Sequence, residues 1–453
     1  MTHKRTLLTL LSLVSLPVVL IACGDSASSD GDGGNGTTTS SSGGSGGGAT
    51  TEQSLEGALD DITLTKDTRW RLKGIVSIPN GKTVTIEPGT TIVGDKETLG
   101  TLVVQQGGKL VAEGTKDEPI VFTSGLPVGE RSAGDWGGLV LLGRAPINEP
   151  GGSAEVEGFS DPQVYGGSDP ADSSGSLAYV RIEFSGIEIA PDNEINGLTL
   201  AGVGSGTKID HVMVKVTLDD CYEFFGGTVN AKHLVCYRNG DDGFDFDQGY
   251  TGSLQYLFLQ QDPSTADETN GLECDNDASD PTVTPITNPT ISNITLCGQN
   301  GDQAKQQYGF LFRRGFHATV ANAIVMGFEA GVDFRDAPAT EVSLTDTVFF
   351  GNTVNNIAYA EDKPKTDGGL PDEDDDGGLD EVAWFNEGEG NVTTDPGIAG
   401  CFDATPNPHP ASTIAGGAVP SGKGLDAAAT YKGAFKDASD DWMSGAWIDF
   451  AAE

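Results

Sequence analysis

The sequence predicts an all-β chain folded as a right-handed parallel β-helix, a solenoid closed by a C-terminal capping segment. Three observations predict it. A short strand motif returns at a near-constant interval. The composition, with Gly at 64 of 453 residues and few Met, favours strands and turns. No segment sustains a helical hydrophobic period with caps.

The repeat is clearest in the middle of the chain. Asp219-Asp220-Cys221-Tyr222-Glu223-Phe224-Phe225-Gly226-Gly227 is followed 22 residues later by Asp241-Asp242-Gly243-Phe244-Asp245-Phe246-Asp247-Gln248-Gly249. The apolar-x-apolar step returns at Leu272-Glu273-Cys274, Phe310-Leu311-Phe312 and Val332-Asp333-Phe334. Between these lie second strands such as Val212-Met213-Val214, Leu234-Val235-Cys236 and Leu257-Phe258-Leu259. A unit of this length cannot close a core alone, so units stack, each strand pairing with its equivalent one coil on, ~4.8 Å away. Phe224, Phe246, Cys274, Phe312 and Phe334 then form one inward ladder, and alternation sends Glu223, Asp245, Glu273, Leu311 and Asp333 outward. Earlier segments, among them Thr83-Val84-Thr85-Ile86, Ile120-Val121-Phe122-Thr123 and Leu139-Val140-Leu141-Leu142, read as opening coils. A propeller needs a period near 40 residues, and a sandwich needs hairpin turns; neither pattern is present.

The chain divides on composition. Residues 1–22 carry His3, Lys4 and Arg5 ahead of an apolar run from Leu7 to Ile21, too short to span a bilayer and patterned as a secretory signal. The run ends in Leu20-Ile21-Ala22-Cys23, which resembles the lipobox of bacterial lipoproteins. That resemblance implies cleavage before Cys23, lipidation of its sulfur and an amide-linked acyl chain such as palmitate on its new amine. Gly24 in place of Asp favours the outer membrane, on either its surface or its periplasmic side. From Cys23 to residue 58 the chain is rich in Gly, Ser and Thr and reads as a disordered tether with a reach of about 30 Å. The β-helix is expected over 59–360, an acidic insert over 361–390 and a cap over 391–453. In that cap Tyr431, Phe435, Trp442, Trp447 and Phe450 are expected to cover the open end of the coil.

Charge narrows the partners. With 67 acidic and 26 basic residues, the formal charge is −41. Nucleic acid and bare anionic lipid are therefore poor partners. Of the six cysteines, Cys23 is assigned to lipid and five remain, an odd number from which no disulfide framework follows. Cys236 is aligned with Phe258 and Cys297, two coils apart and ~10 Å, too far for a bridge. Cys221 and Cys274 read as packing residues, with one local bridge left open.

The outward face of residues 219–336 holds the candidate chemistry. Glu223, Asp245 and Glu273 stand beside Asp247 and Asp275, with Arg313 and Arg335 on later coils. Carboxylates stacked ~5 Å apart repel, and either hold protons or take a cation. Calcium accepts such oxygen donors, so these five acids are candidate ligands and the two arginines candidate contacts for an anionic ligand. A plain solvated acidic strand surface is the third reading. The insert offers a second calcium candidate: Asp372, Asp374, Asp376 and Asp380 follow the D-x-D-x-D-G order, but Ala383 stands where an EF-hand places its bidentate Glu. No catalytic residue is assigned.

Taken together, Gly134-Asp135-Trp136-Gly137-Gly138-Leu139, Glu223-Phe224-Phe225-Gly226-Gly227, Gly240-Asp241-Asp242-Gly243-Phe244-Asp245 and the end from Tyr431 to Trp447 make the chain similar to the pectin-lyase-like right-handed β-helix superfamily, and more closely to bacterial β-helix lipoproteins. The resemblance covers roughly residues 60–453 and implies architecture rather than activity. Polygalacturonases of that superfamily carry a Gly-Asp-Asp element, matched by Gly240-Asp241-Asp242. Their Gly-His-Gly and Arg-Ile-Lys elements have no counterpart around His211, His233 or His317. Lyases of the fold use calcium with a basic Arg or Lys, and Arg313 and Arg335 are the residues such a reading would use. Two functions follow as expectations. One is a non-enzymatic, membrane-anchored binding or structural protein that meets an extracellular polysaccharide or another envelope protein. The other is a polysaccharide lyase or hydrolase working through the acidic face.

Overall fold

The computed structural model describes residues 51–190, 193–265, 268–301, 307–335, 341–358 and 378–451. Cys23 and the signal and lipobox residues lie outside them, as do Asp372, Asp374 and Asp376. The chain is a parallel β-helix. Twenty-three strands join through parallel pairings, and two short antiparallel hairpins, Ala154–Glu155 with Val164–Tyr165 and Ile187–Ala190 with Asn193–Ile195, project from it. The first coil begins with Thr51–Ala58, which pairs with Thr68–Ile78, so part of the expected tether already belongs to the β-helix.

Two stacks of strands matter for function. One, here the acidic sheet, runs through Tyr222–Phe225, Phe244–Asp247, Leu272–Cys274, Tyr308–Phe312 and Ala330–Phe334. Its register puts Phe224, Phe246, Cys274, Phe312 and Phe334 in one line, all buried in the core. The phenyl rings stack, with Phe224 and Phe246 5.0 Å apart and Phe312 and Phe334 5.1 Å apart. The inward ladder is as the alternation predicts, and Glu223, Asp245, Glu273, Leu311 and Asp333 form the opposite line. Leu311 is nonetheless buried, packed with Tyr308 and Ala330.

The other stack, the histidine sheet, runs through Gly175–Glu183, Lys208–Lys215, Asn230–Tyr237, Ser253–Gln260, Thr290–Cys297 and Ala318–Met326. At one position of every coil a non-glycine residue takes a left-handed backbone: Tyr179, His211, His233, Tyr256, Asn293 and Asn322, with φ between 50° and 63°. Such residues are costly singly, and here each is held by the next. Tyr179, His211, His233 and Tyr256 form a continuous ring stack at 4.4, 4.1 and 4.8 Å. Asn293 and Asn322, a type that tolerates this backbone, spend their amides on main chain that crosses them, at Tyr431 and Gly417.

That crossing chain corrects the expected cap. Residues 392–451 do not close the open end. They run as a strap along the outer side of the histidine sheet, where Phe435, Met443 and Trp447 pack on Met213, Val235, Phe258 and Ile324. Trp447 abuts His211 at 5.3 Å and Trp442 abuts His233 at 5.1 Å. Cys297–Cys401 pins the start of the strap, and Lys215, buried, reaches Asp449 near its end at 2.8 Å. The physical reason is the apolar outward row: Met213, Val235, Phe258 and Ile324 alternate with inward residues and would otherwise face water. The closing role falls to helix α1 (Glu381–Glu387), inside the expected insert. Asp380 caps it by accepting from Ala383 N at 2.8 Å, and Phe385 stacks on Phe349 at 4.4 Å.

The cysteines also differ from expectation. Cys236 pairs across the sheet with Leu259, and Cys297 with Gln260, so the two are out of line as well as two coils apart. Cys221 is bonded to Cys236, the local bridge, while Cys274 is a buried free thiol.

Candidate functional site

The site lies on the outer side of the acidic sheet. The Asp-Asp pairs sit in the turn before each strand, so they stack as the strands do: Asp220 Oδ1 accepts from Asp242 N at 2.7 Å, and Asp242 Oδ1 accepts from Asn270 N. Each carboxylate thus terminates the turn of the next coil. The strands add Glu223 directly opposite Asp245, and Asp245 opposite Glu273.

The structure divides the predicted set. Glu273 and Asp275 are neutralised from the next coils. Arg313 grips Asp275 through Nε at 2.9 Å and Nη2 at 2.8 Å and also contacts Glu273, while Arg314 reaches Asp275 at 2.5 Å. Arg335 is spent on Asp333 at 2.6 Å and on the Tyr308 hydroxyl at 3.1 Å. Asp247 stands apart, accepting from Gln248 N at 2.5 Å. Glu223 and Asp245 remain, and Asp220 joins them: one carboxylate oxygen from each lies within 4.8 Å of the others. Asp219, Asp220 and Asp241 make an adjoining cluster of the same dimension. Asp219, Asp220 and Asp241 were not among the sequence candidates as ligands. Their signal was present in the repeated Asp-Asp, which reads equally as a backbone-bonding turn.

Magnitudes decide what such a cluster does. Two unit charges 4.8 Å apart repel by about 3–4 kcal/mol at an effective dielectric constant of about 20. Three mutual pairs would reach about 10 kcal/mol, comparable with the whole stability of a domain. The three groups are therefore not all ionised unless a cation sits among them. Burial and then the neighbouring carboxylates push Asp220, Glu223 and Asp245 well above the ordinary carboxylate range. Burial likewise raises Asp219 to about 8, and Asp242 and Asp247 to about 6. Glu223 accepts from the Asn196 amide, whereas Asp245 Oδ1 is buried and has no hydrogen-bond partner among the described residues. A buried orphan oxygen facing two further carboxylates is a donor set for a hard cation, all oxygen and anionic.

Beside the cluster, a cavity of about 230 Å³ opens between Asp241, Asn270, Glu273, Tyr308, Arg313 and Arg335. Its walls alternate negative and positive groups. Arg313 is mostly buried, and that burial lowers its proton affinity.

A further triad of metal-ligand types, Asp210, His211 and His233, lies on the histidine sheet. The two Nδ1 atoms are 2.9 and 2.7 Å from Asp210 Oδ1. The imidazoles stack face to face, so their ring planes do not converge on one ion, and Asp210 serves to orient the ring column.

The raised carboxyls fix a sign. Each is protonated in the folded chain at a pH where its unfolded counterpart, near 3.8 for Asp, has already lost its proton. Without a cation, stability therefore falls as pH rises from about 4 through about 6 and on to about 8. In chelator, thermal denaturation is expected to show a midpoint that drops between pH 5 and pH 8, with the slope flattened in Asp220→Asn/Asp245→Asn. Millimolar calcium should raise the midpoint more at pH 8 than at pH 5. A midpoint that climbs with pH in chelator, or an equal calcium shift at both pH values, contradicts the assignment.

Among known proteins, the family model of the pectate-lyase-like β-helix domain matches residues 57–391. The crystal structure of pectate lyase Pel9A is similar at 13% sequence identity, covering 69% of this chain and 80% of that one, with a TM-score of 0.27. No curated protein matches the chain. The match over residues 57–391 places it: the chain belongs to the pectate-lyase-like β-helix domain family.

Proposed function

We propose that this chain is an envelope-tethered, non-enzymatic β-helix whose acidic sheet takes up a divalent cation, calcium by its donor chemistry, and presents it to an extracellular glycan. The observation that carries the reading is the convergence of Asp220, Glu223 and Asp245 around the unpartnered Asp245 Oδ1. A cation held there neutralises the charge that would otherwise repel any acidic ligand, and the adjoining cavity leaves room for polar groups to reach it. The arginines support binding rather than turnover, since Arg313 and Arg335 are already committed to carboxylates.

A second reading, a calcium-dependent lyase, has one observation in its favour. Arg313, its proton affinity lowered by burial, lines the cavity next to the acidic cluster, as a proton acceptor would.

Calorimetric calcium titration of the full chain separates the outcomes. One strong site is expected, weakened at least tenfold by Asp220→Asn/Asp245→Asn and unchanged by Asp380→Asn. Loss in the Asp380 variant alone would move the site to the acidic insert, and no binding at all would end the calcium reading. The calcium-loaded chain is expected to release no unsaturated product from acidic polysaccharides; calcium-dependent release abolished by Arg313→Gln would replace the binding reading with the lyase.

The tether is proposed from Leu20-Ile21-Ala22-Cys23. In a bacterial host, metabolic labelling with palmitate should mark the chain, and Cys23→Ser should abolish both the label and membrane partition. A Cys23→Ser chain that still carries label would refute the anchor.

A further inference from the structure

The strap and the histidine sheet enclose a second feature, remote in sequence from the acidic strands. Where the strap crosses the first residues of Lys208–Lys215, Asn230–Tyr237 and Ser253–Gln260, a cleft of about 330 Å³ opens. Lys208 and Lys232 reach it from adjacent strands and Lys423 from the strap, with Thr207, Asn230 and Ser253 between them. Ile209 and Ala231 also border it, but their side chains turn into the core. The strap is fixed there: Asp426 N donates to Gln255 Oε1 at 2.6 Å, and the Asp426 carboxylate accepts from the Tyr256 hydroxyl at 3.1 Å.

Three lysines in one cleft are notable in a chain of charge −41. Lys66, Lys82, Lys96, Lys116 and Lys215 each meet a carboxylate within 3.1 Å. Lys208, Lys232 and Lys423 make no such ion pair among the described residues, and only Lys232 has a ring beneath it, Tyr256 at 5.9 Å. Asp210, the acid in the lining, is turned to the two histidines that hold it. The cleft therefore gathers three lysines of which none is locked in a close ion pair among the described residues, although the Asp426 carboxylate is near enough to feel Lys232.

The chemistry selects the ligand. Ammonium groups act as point charges, without the planar fork that matches a single carboxylate. Three of them suit a concentrated dianion, the charge of a phosphomonoester near neutral pH. The volume exceeds what an inorganic anion fills and lies at the lower end of small-molecule sites. The hydroxyl and amide groups of Thr207, Asn230 and Ser253 suit the hydroxyls of a sugar ring. We infer that the cleft between the strap and the histidine sheet binds a phosphorylated sugar, its phosphate among Lys208, Lys232 and Lys423 and its ring hydroxyls toward Asn230 and Ser253. This goes beyond the cation reading and does not depend on it, since no residue of the acidic sheet lines the cleft.

The test is calorimetry on the full chain in chelator, which silences any cation site, with glucose 6-phosphate, glucose, glucuronate and inorganic phosphate as separate titrants. Glucose 6-phosphate is expected to bind saturably, and the other three at least tenfold more weakly. Lys208→Gln/Lys232→Gln/Lys423→Gln should weaken binding about tenfold or more, and Lys109→Gln, on strand Lys109–Glu113 outside the cleft, should leave it unchanged. Raising salt from about 50 to about 300 mM should weaken the unmodified chain several-fold, a readout that does not rely on any variant folding. Absence of glucose 6-phosphate binding, equal binding of phosphate or glucuronate, an unaffected triple variant that retains its thermal midpoint, or salt-independent affinity would each overturn the inference.

Discussion

Parallel stacking in register is the constraint on which the rest of this structure depends. Each strand meets its own equivalent about 4.8 Å away, so whatever residue type occupies a position is set against the same position of the next coil. Inside, this is favourable: Phe224 lies on Phe246, and Phe312 on Phe334. Outside, the same rule stacks Glu223 on Asp245 and Asp245 on Glu273. A sheet that gains by stacking rings must also stack charges, and the protein answers in two ways. From Glu273 onward, arginines of later coils neutralise the acids. Before it, from Asp219 to Asp245, no such arginine grip forms among the described residues, and burial raises the proton affinity of the acids. The boundary between these two answers is where the chemistry of the face is concentrated.

The same constraint explains the other face. One left-handed residue per coil bends the strands of the histidine sheet, and because the bend repeats, the residues at it form a column of rings and amides. That column is what the strap recognises, with tryptophans against histidine rings and main chain against asparagine amides. The strap thus covers the outer side of the histidine sheet. Its crossing point also creates the lysine cleft, a feature that neither the coil nor the strap has alone.

The fold was legible in the sequence because the inward ladder depends on a local period, and Phe224, Phe246, Cys274, Phe312 and Phe334 stand in line as their spacing implies. The strap was not, although a trace of it was present. Val212-Met213-Val214 and Leu257-Phe258-Leu259 are apolar on both faces rather than alternating, which is the mark of a strand covered on both sides. What covers them is set by contacts across hundreds of residues, 325 between Lys116 and Asp441, and no local pattern encodes that distance. By sequence alone the aromatic tail therefore reads as a cover for the open end, which helix α1 closes instead through Phe385 and Trp384. The candidate site was half legible. The column of Glu223, Asp245 and Glu273 follows from alternation, but which acids are neutralised depends on the reach of Arg313 and Arg314 across coils. Asp220 enters the cluster from a turn, where alternation says nothing about direction.

The central proposal is that the acidic sheet is an ion site. The most direct measurement is anomalous diffraction from crystals of the chain grown at about neutral pH and soaked in a calcium-mimicking lanthanide. One strong peak is expected among Asp220, Glu223 and Asp245, at roughly 2.3–2.6 Å from their carboxylate oxygens as for calcium. A map with no peak there, with the three side chains unmoved and a lanthanide bound only elsewhere, would contradict it.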